Sequence, residues 1–203
     1  MIEHLVPFLV ASMGLTLSPG PDILYVFTLS VTESKAKAVV FATGLVSGLI
    51  VHTSLVAFGV AAVIKNNEVV FQIIKYAGAA YLLYLAIQVY RSKTELATAR
   101  NKDTQSTSLS TYKKGVIMNV LNPKVSLFFL AFLPGFIWDT GGGIQVQLII
   151  LGLVFMLQAW VIFFGVAQIG SLIDLRKLNA YSFITKWVQI LILTGIALYL
   201  VIG

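Results

Sequence analysis

The sequence predicts an all-α membrane protein: six transmembrane helices arranged as two inverted three-helix repeats, with helices 1 and 4 broken. Three observations predict this class: scarce charge, six apolar runs of helix length, and a proline-broken segment in each half of the chain. Of the 203 residues, 58% are hydrophobic and 11% charged, and the mean hydropathy is +0.92. An ordinary soluble domain carries roughly 25% charged residues. Apolar runs of about 20 residues suit membrane helices, whereas the strands of outer-membrane barrels are shorter and alternate apolar with polar positions.

The first run, Leu5 to Val31, contains Ser18-Pro19-Gly20-Pro21-Asp22. Pro19 and Pro21 each lack an N–H and clash with the preceding turn, and Gly20 accepts almost any backbone angle, so the helix must kink or unwind there. The second run, Val39 to Ile64, carries Gly44, Gly48 and His52 on one face. Small residues four apart let another helix approach closely, which turns His52 toward the bundle. A third run spans Val69 to Tyr90. The stretch from Arg91 to Lys114 is rich in Ser, Thr and charge and lacks the apolar content to pack, so it reads as a linker. Beyond it, Gly115 to Ile137 holds the second break, Asn122-Pro123-Lys124, and Gln147 to Leu172 and Ser182 to Ile202 complete the six. The resulting division is 1–90 for the first half, 91–112 for the linker and 113–203 for the second half.

Three spans per half make the second half enter from the opposite face, so any repeat is inverted. Its echoes in sequence are thin: Lys75-Tyr76 opens the third span much as Lys186-Trp187 opens the sixth, and Gly14 precedes one break as Gly115 precedes the other. Eleven of the fourteen basic residues fall on one side of this arrangement, chiefly between Arg91 and Lys114. The positive-inside rule therefore puts the linker in the cytoplasm and both termini outside. The net charge of +6 reads as a topology signal and as contact with anionic lipid rather than nucleic acid, because the basic residues lie between apolar spans.

Several chemistries are excluded. With no cysteine there is no disulfide, thiolate metal site or dithiol redox centre. No phosphate-binding Gly-x-x-x-x-Gly-Lys-Ser/Thr segment occurs, so energy must come from a gradient or a partner. The two histidines, His4 and His52, are far apart in sequence, and no cofactor or metal is expected. The N-terminus lacks the basic region of a secretory signal, and the first span reads as retained.

Asp22 and Lys124 carry the sharpest signal. Asp22 lies eleven residues before Glu33, and Lys124 eleven after Lys113. At 1.5 Å per residue both sit roughly 16 Å deep, near the middle of a core about 30 Å thick. A charge at that depth is costly and rarely accidental. The two groups either form a salt bridge that substrate breaks, bind the two ends of a zwitterion separately, or make a permanent structural pair. An unwound segment from Pro19 to Asp22 should line a cavity, since freed backbone groups are tolerated only there, and a restarted helix aims its amides at a carboxylate. His52 either relays protons or is a neutral histidine bonded to a neighbouring helix. Asn119 and Asn122, with Gly115 and Ser126, either ligate substrate or join helices. Gln158, Gln168 and Gln189 read as packing groups. Trp138, Trp160, Trp187 and the run Phe128, Phe129 and Phe132 read as lipid-facing or interfacial.

Ser18-Pro19-Gly20-Pro21-Asp22 and Asn122-Pro123-Lys124, in that order in a chain of this length, resemble the LysE/RhtB family of bacterial amino-acid exporters. The Gly44 to Gly48 region, Gly78 through Tyr81-Leu82 and Phe128 to Phe136 extend the resemblance along nearly the whole chain. It implies an inner-membrane protein of six helices that exports amino acids or close derivatives, driven by an ion gradient through exchange for protons, and it admits a homodimer. One departure is Gly135 in Leu133-Pro134-Gly135-Phe136, where many relatives carry Gln before the Phe. An acid and a base at one depth suit a zwitterion, which favours neutral substrates of the threonine or homoserine type. The rival readings are a passive channel, which would show a continuous polar file, a membrane enzyme, and a scaffold indifferent to loss of both charges.

Overall fold

The computed structural model describes residues 2–18, 20–62, 68–91, 107–139, 142–170 and 178–202, and every regular element among them is helical. In chain order they are α1 (Ile2–Leu17), α2 (Pro21–Thr32), α3 (Lys35–Leu55), α4 (Glu68–Arg91), α5 (Ser108–Val120), α6 (Pro123–Leu127), α7 (Ile144–Gly170) and α8 (Leu178–Ile202). A π turn at Val56–Val60 prolongs α3, and α6 runs on through a π turn at Phe128–Phe132 and a 3₁₀ turn at Leu133–Phe136. The chain is a multi-pass membrane protein. Lys35–Val60 and Ile144–Gly170 are each long and apolar enough to cross a bilayer alone, and α5 with the α6 segment makes a third span if the 48° bend between them is counted within one.

The helix ends follow from their residues. Ser34 caps α3 by accepting the Lys37 N–H at 3.2 Å, and Thr107 caps α5 by accepting the Ser110 N–H at 3.3 Å. That cap moves one expected boundary: the last residues of the predicted 91–112 linker form the first turn of α5, while 92–106 lie outside the described residues. Between α6 and α7 the chain turns over Gln147. Its Oε1 accepts the Trp138 and Asp139 N–H groups, and its Nε2 donates to the Asp139 and Gly142 carbonyls.

Glycine sets the helix spacing. A Cβ at Gly44 would collide with the Tyr112 carbonyl oxygen and one at Gly115 with the Phe41 carbonyl oxygen, so α3 and α5 touch backbone to backbone. Across the molecule α4 packs on α8, and α7 lies against α1, α2 and α3. A Cβ at Gly152 of α7 would strike Thr53 of α3, and Ser30 of α2 donates its hydroxyl to the Ala167 carbonyl of α7.

The phenylalanine run corrects the sequence reading. Phe128 and Phe129 are fully buried and Phe132 is 1% exposed. They pack with Phe8, Phe136 and Phe155 at ring separations between 4.7 and 6.5 Å. In a segment apolar all round, no polar face marks which side meets lipid, so composition cannot orient it. Trp160 and Trp187 are exposed as expected, whereas Trp138 is half-buried against the core.

Candidate functional site

Both helix breaks come to one place. In the first, α1 ends with the Ser18 N–H on the Gly14 carbonyl at 2.9 Å, and the Ser18 hydroxyl donates to the Leu15 carbonyl at 2.8 Å. Pro19 lies outside the described residues. Gly20 then stands extended as the N-cap, and α2 restarts at Pro21, whose missing N–H costs nothing at a first helical position. In the second, α5 closes with the Asn122 N–H on the Asn119 carbonyl at 2.9 Å. Asn122 caps α6 by accepting the Lys124 N–H at 3.0 Å, and Pro123 takes the position Pro21 holds in the first break.

Side chains knit the breaks together. Asn122 Nδ2 donates to Asp22 Oδ2 at 2.7 Å, and Lys124 Nζ donates to the Ser18 carbonyl at 3.0 Å. Asp22 and Lys124 line one crevice, but the salt bridge considered from sequence is not formed. Each charge rests on a neutral partner instead. Asp22 is 8% exposed, and its second oxygen, Oδ1, is buried without a hydrogen-bond partner. A carboxylate so placed has an unmet acceptor, a costly condition in low dielectric. Gly20 leaves room for the lysine, since a Cβ there would sit 3.2 Å from Lys124 Nζ.

A narrow, partly open crevice runs along this junction. Its polar wall is Thr16, Asp22, Asn119 and Lys124, and its apolar wall includes Leu49, Phe155 and Phe163. Asn119 is 2% exposed with its Oδ1 unpartnered, and a Cβ at Gly48 would lie 2.8 Å from that oxygen. His52 is buried behind this wall, its Nε2 3.2 Å from the Asn119 carbonyl and its ring 5.6 Å from that of Phe129.

Of the sequence candidates, Gly20, Asp22, Asn119, Asn122 and Lys124 come together here, Pro21 and Pro123 shape the backbone, and His52 stands one layer back. Sequence reasoning missed two contributors. Ser18 acts through its carbonyl, which no side-chain pattern reveals. Thr16 reaches the crevice because the break changes the helix direction after it, so its spacing from Asp22 carries no periodic signal. Gln158, read from sequence as a packing group, donates to the Thr16 hydroxyl at 3.0 Å and leaves its own buried Oε1 unpartnered. The crevice thus pairs a carboxylate able to accept from a cation with an ammonium able to donate to an anion, between apolar walls. Among the described residues no cluster of three or more His, Cys, Asp or Glu side chains is placed to hold a metal.

The family model described as LysE type translocator matches residues 13–203. A homoserine/homoserine lactone efflux protein of Salmonella typhimurium is 32% identical over 164 residues, covering 81% of this chain and 79% of the relative. Its counterpart in Salmonella typhi is 31% identical over the same shares. An uncharacterized membrane protein of Vibrio cholerae is 29% identical over 170 residues, 82% of each chain. No solved structure matches. With the family match spanning nearly the whole chain and both of its broken helices, this protein belongs to the LysE-type translocators, which are membrane transporters and not enzymes.

Proposed function

We propose that this translocator exports amino acids, neutral ones of the threonine or homoserine type, across the bacterial inner membrane in exchange for protons. The observation that carries the reading is the junction of the two breaks, where Asp22 and Lys124 share one crevice and neither is spent on the other. A zwitterion satisfies both: its ammonium meets the free Asp22 Oδ1, and its carboxylate meets Lys124. A proton on Asp22 removes the attraction for the ammonium, so proton and substrate compete for one group, and that competition is the coupling. The homoserine efflux relatives support an amino-acid substrate.

Alternating access follows from two inverted halves, 1–90 and 113–203, joined by the cytoplasmic linker 91–112 with both termini outside. Packing supports a repeat, and three spans per half make it an inverted one. The broken helix of each half lies on the second helix of the other, α1 and α2 on α7, and α5 on α3, while α3 pairs with α7 and α4 with α8. Substrate and ion sites at the interface of such repeats, built on broken helices, are a recurring transporter design. On this arrangement α4 and α8 are the third and sixth of six spans.

Counterflow tests the reading. Proteoliposomes are loaded with mixed amino acids, trace labelled amino acids are added outside, and accumulation is screened one label at a time. Transient accumulation of one or a few neutral labels, abolished in Asp22→Asn, is the expected result. Equilibration without overshoot indicates a channel, and silence from folded, inserted protein overturns the proposal.

A further inference from the structure

Each break frees a backbone carbonyl, and each freed carbonyl is held by a side chain from the other half. In a continuous helix the Asn119 carbonyl would accept the N–H of residue 123, but that residue is proline and has none. The tightened turn supplies one donor, the Asn122 N–H at 2.9 Å, and His52 Nε2 supplies a second at 3.2 Å. Lys124 plays the matching part on the Ser18 carbonyl.

A carbonyl only accepts, so His52 must carry its proton on Nε2. The same geometry makes that nitrogen a poor relay: its partner is a backbone oxygen that cannot pass a proton on, and Phe129 packs against the ring. The clamp has a consequence one residue away. It anchors Asn119 where the side-chain Oδ1 lies against Gly48, which leaves Nδ2 as the amide edge available to the crevice that Asn119 lines. Beside Lys124 this is a second donor for a carboxylate.

We propose that His52 is a positioning residue for the substrate site, holding the Asn119 carbonyl so that the Asn119 amide presents its donor edge to the crevice. The assignment rests on the exporter reading, and it gives His52 no share in moving the transported proton.

The test compares His52→Leu, which removes the donor, with His52→Gln, whose amide nitrogen can replace it. In proteoliposomes His52→Leu raises KM for the counterflow substrate about tenfold, the effect of one lost hydrogen bond, and keeps the wild-type pH profile. His52→Gln recovers KM to within about threefold, since it restores that bond. Loss of pH-driven transport in His52→Gln at unchanged KM assigns His52 to proton transfer and overturns the proposal. Hydrogen exchange over residues 119–124 reads the clamp without any substrate: exchange there quickens in His52→Leu and returns toward wild type in His52→Gln. Unchanged exchange in His52→Leu overturns the clamp, whereas absent transport by the wild-type protein overturns the exporter reading alone.

Discussion

Asn122 donates its side-chain amide to Asp22 at 2.7 Å across 100 residues of sequence, while the oxygen of the same amide caps α6 through the Lys124 N–H. One side chain therefore links the two helix breaks and fixes which edge of its amide faces which half. Asp22→Asn keeps the shape of the junction but gives up the charge. The variant should fold, with melting in detergent close to wild type, and lose pH-driven export by about 10- to 100-fold, the worth of a charge-assisted hydrogen bond to an ammonium. Full pH-driven activity in Asp22→Asn would remove Asp22 from coupling.

Lys124 gives a separable prediction, because its ammonium rests on a backbone carbonyl and not on Asp22. If it receives the substrate carboxylate, Lys124→Met raises KM for the free amino acid by about tenfold or more. An amino-acid methyl ester, which keeps the ammonium and lacks the carboxylate, should lose far less. Measuring both KM values in one proteoliposome preparation checks this, and equal losses for acid and ester assign Lys124 a structural role only.

Much of this site was legible because charge and proline are conspicuous in an apolar chain. Asp22, Lys124 and the two prolines announce themselves, and counting from the polar boundaries puts both charges at one depth. Partner choice was not legible. Whether Lys124 meets Asp22 or the Ser18 carbonyl depends on how far each helix is offset at its break, and a backbone acceptor leaves no trace in side-chain patterns. The inward face of Phe128, Phe129 and Phe132 was hidden for another reason: lipid and protein interior are equally apolar, so hydrophobicity does not separate them. Gly44 and Gly48 did signal the close helix contact, because only the loss of a side chain permits it.

That contact supports a graded stability prediction. Gly44→Ala places a methyl against the Tyr112 carbonyl oxygen, a backbone atom that cannot swing aside, whereas a Cβ at Gly165 of α7 meets nothing within 4 Å. Overpacking of this kind costs about 1–3 kcal/mol. Gly44→Ala should melt several degrees below wild type in detergent, and Gly165→Ala should match it or exceed it slightly, since alanine is the better helix former. Equal melting of the two variants would show that α3 and α5 are free to move apart.

Gln147 closes the turn between the α6 segment and α7 with all four of its hydrogen-bonding positions, accepting from the Trp138 and Asp139 N–H groups and donating to the Asp139 and Gly142 carbonyls. Its own side chain is only 5% exposed, but Asp139 and Gly142 are exposed, so water can take over part of what it supplies to them. Gln147→Leu removes four hydrogen bonds, and with about 1 kcal/mol net for each, less where water reaches the partner, the loss is about 2–3 kcal/mol. Gln147→Glu keeps the oxygen that accepts from Trp138 and Asp139 but loses both donors and sets a carboxylate against the Asp139 and Gly142 carbonyls, so it too should destabilise the turn. The two variants separate at the amides: hydrogen exchange at Trp138 and Asp139 should quicken in Gln147→Leu and stay closer to wild type in Gln147→Glu. Exchange quickened equally in both would mean that the donating amide nitrogen of the glutamine, and not its accepting oxygen, holds the turn closed.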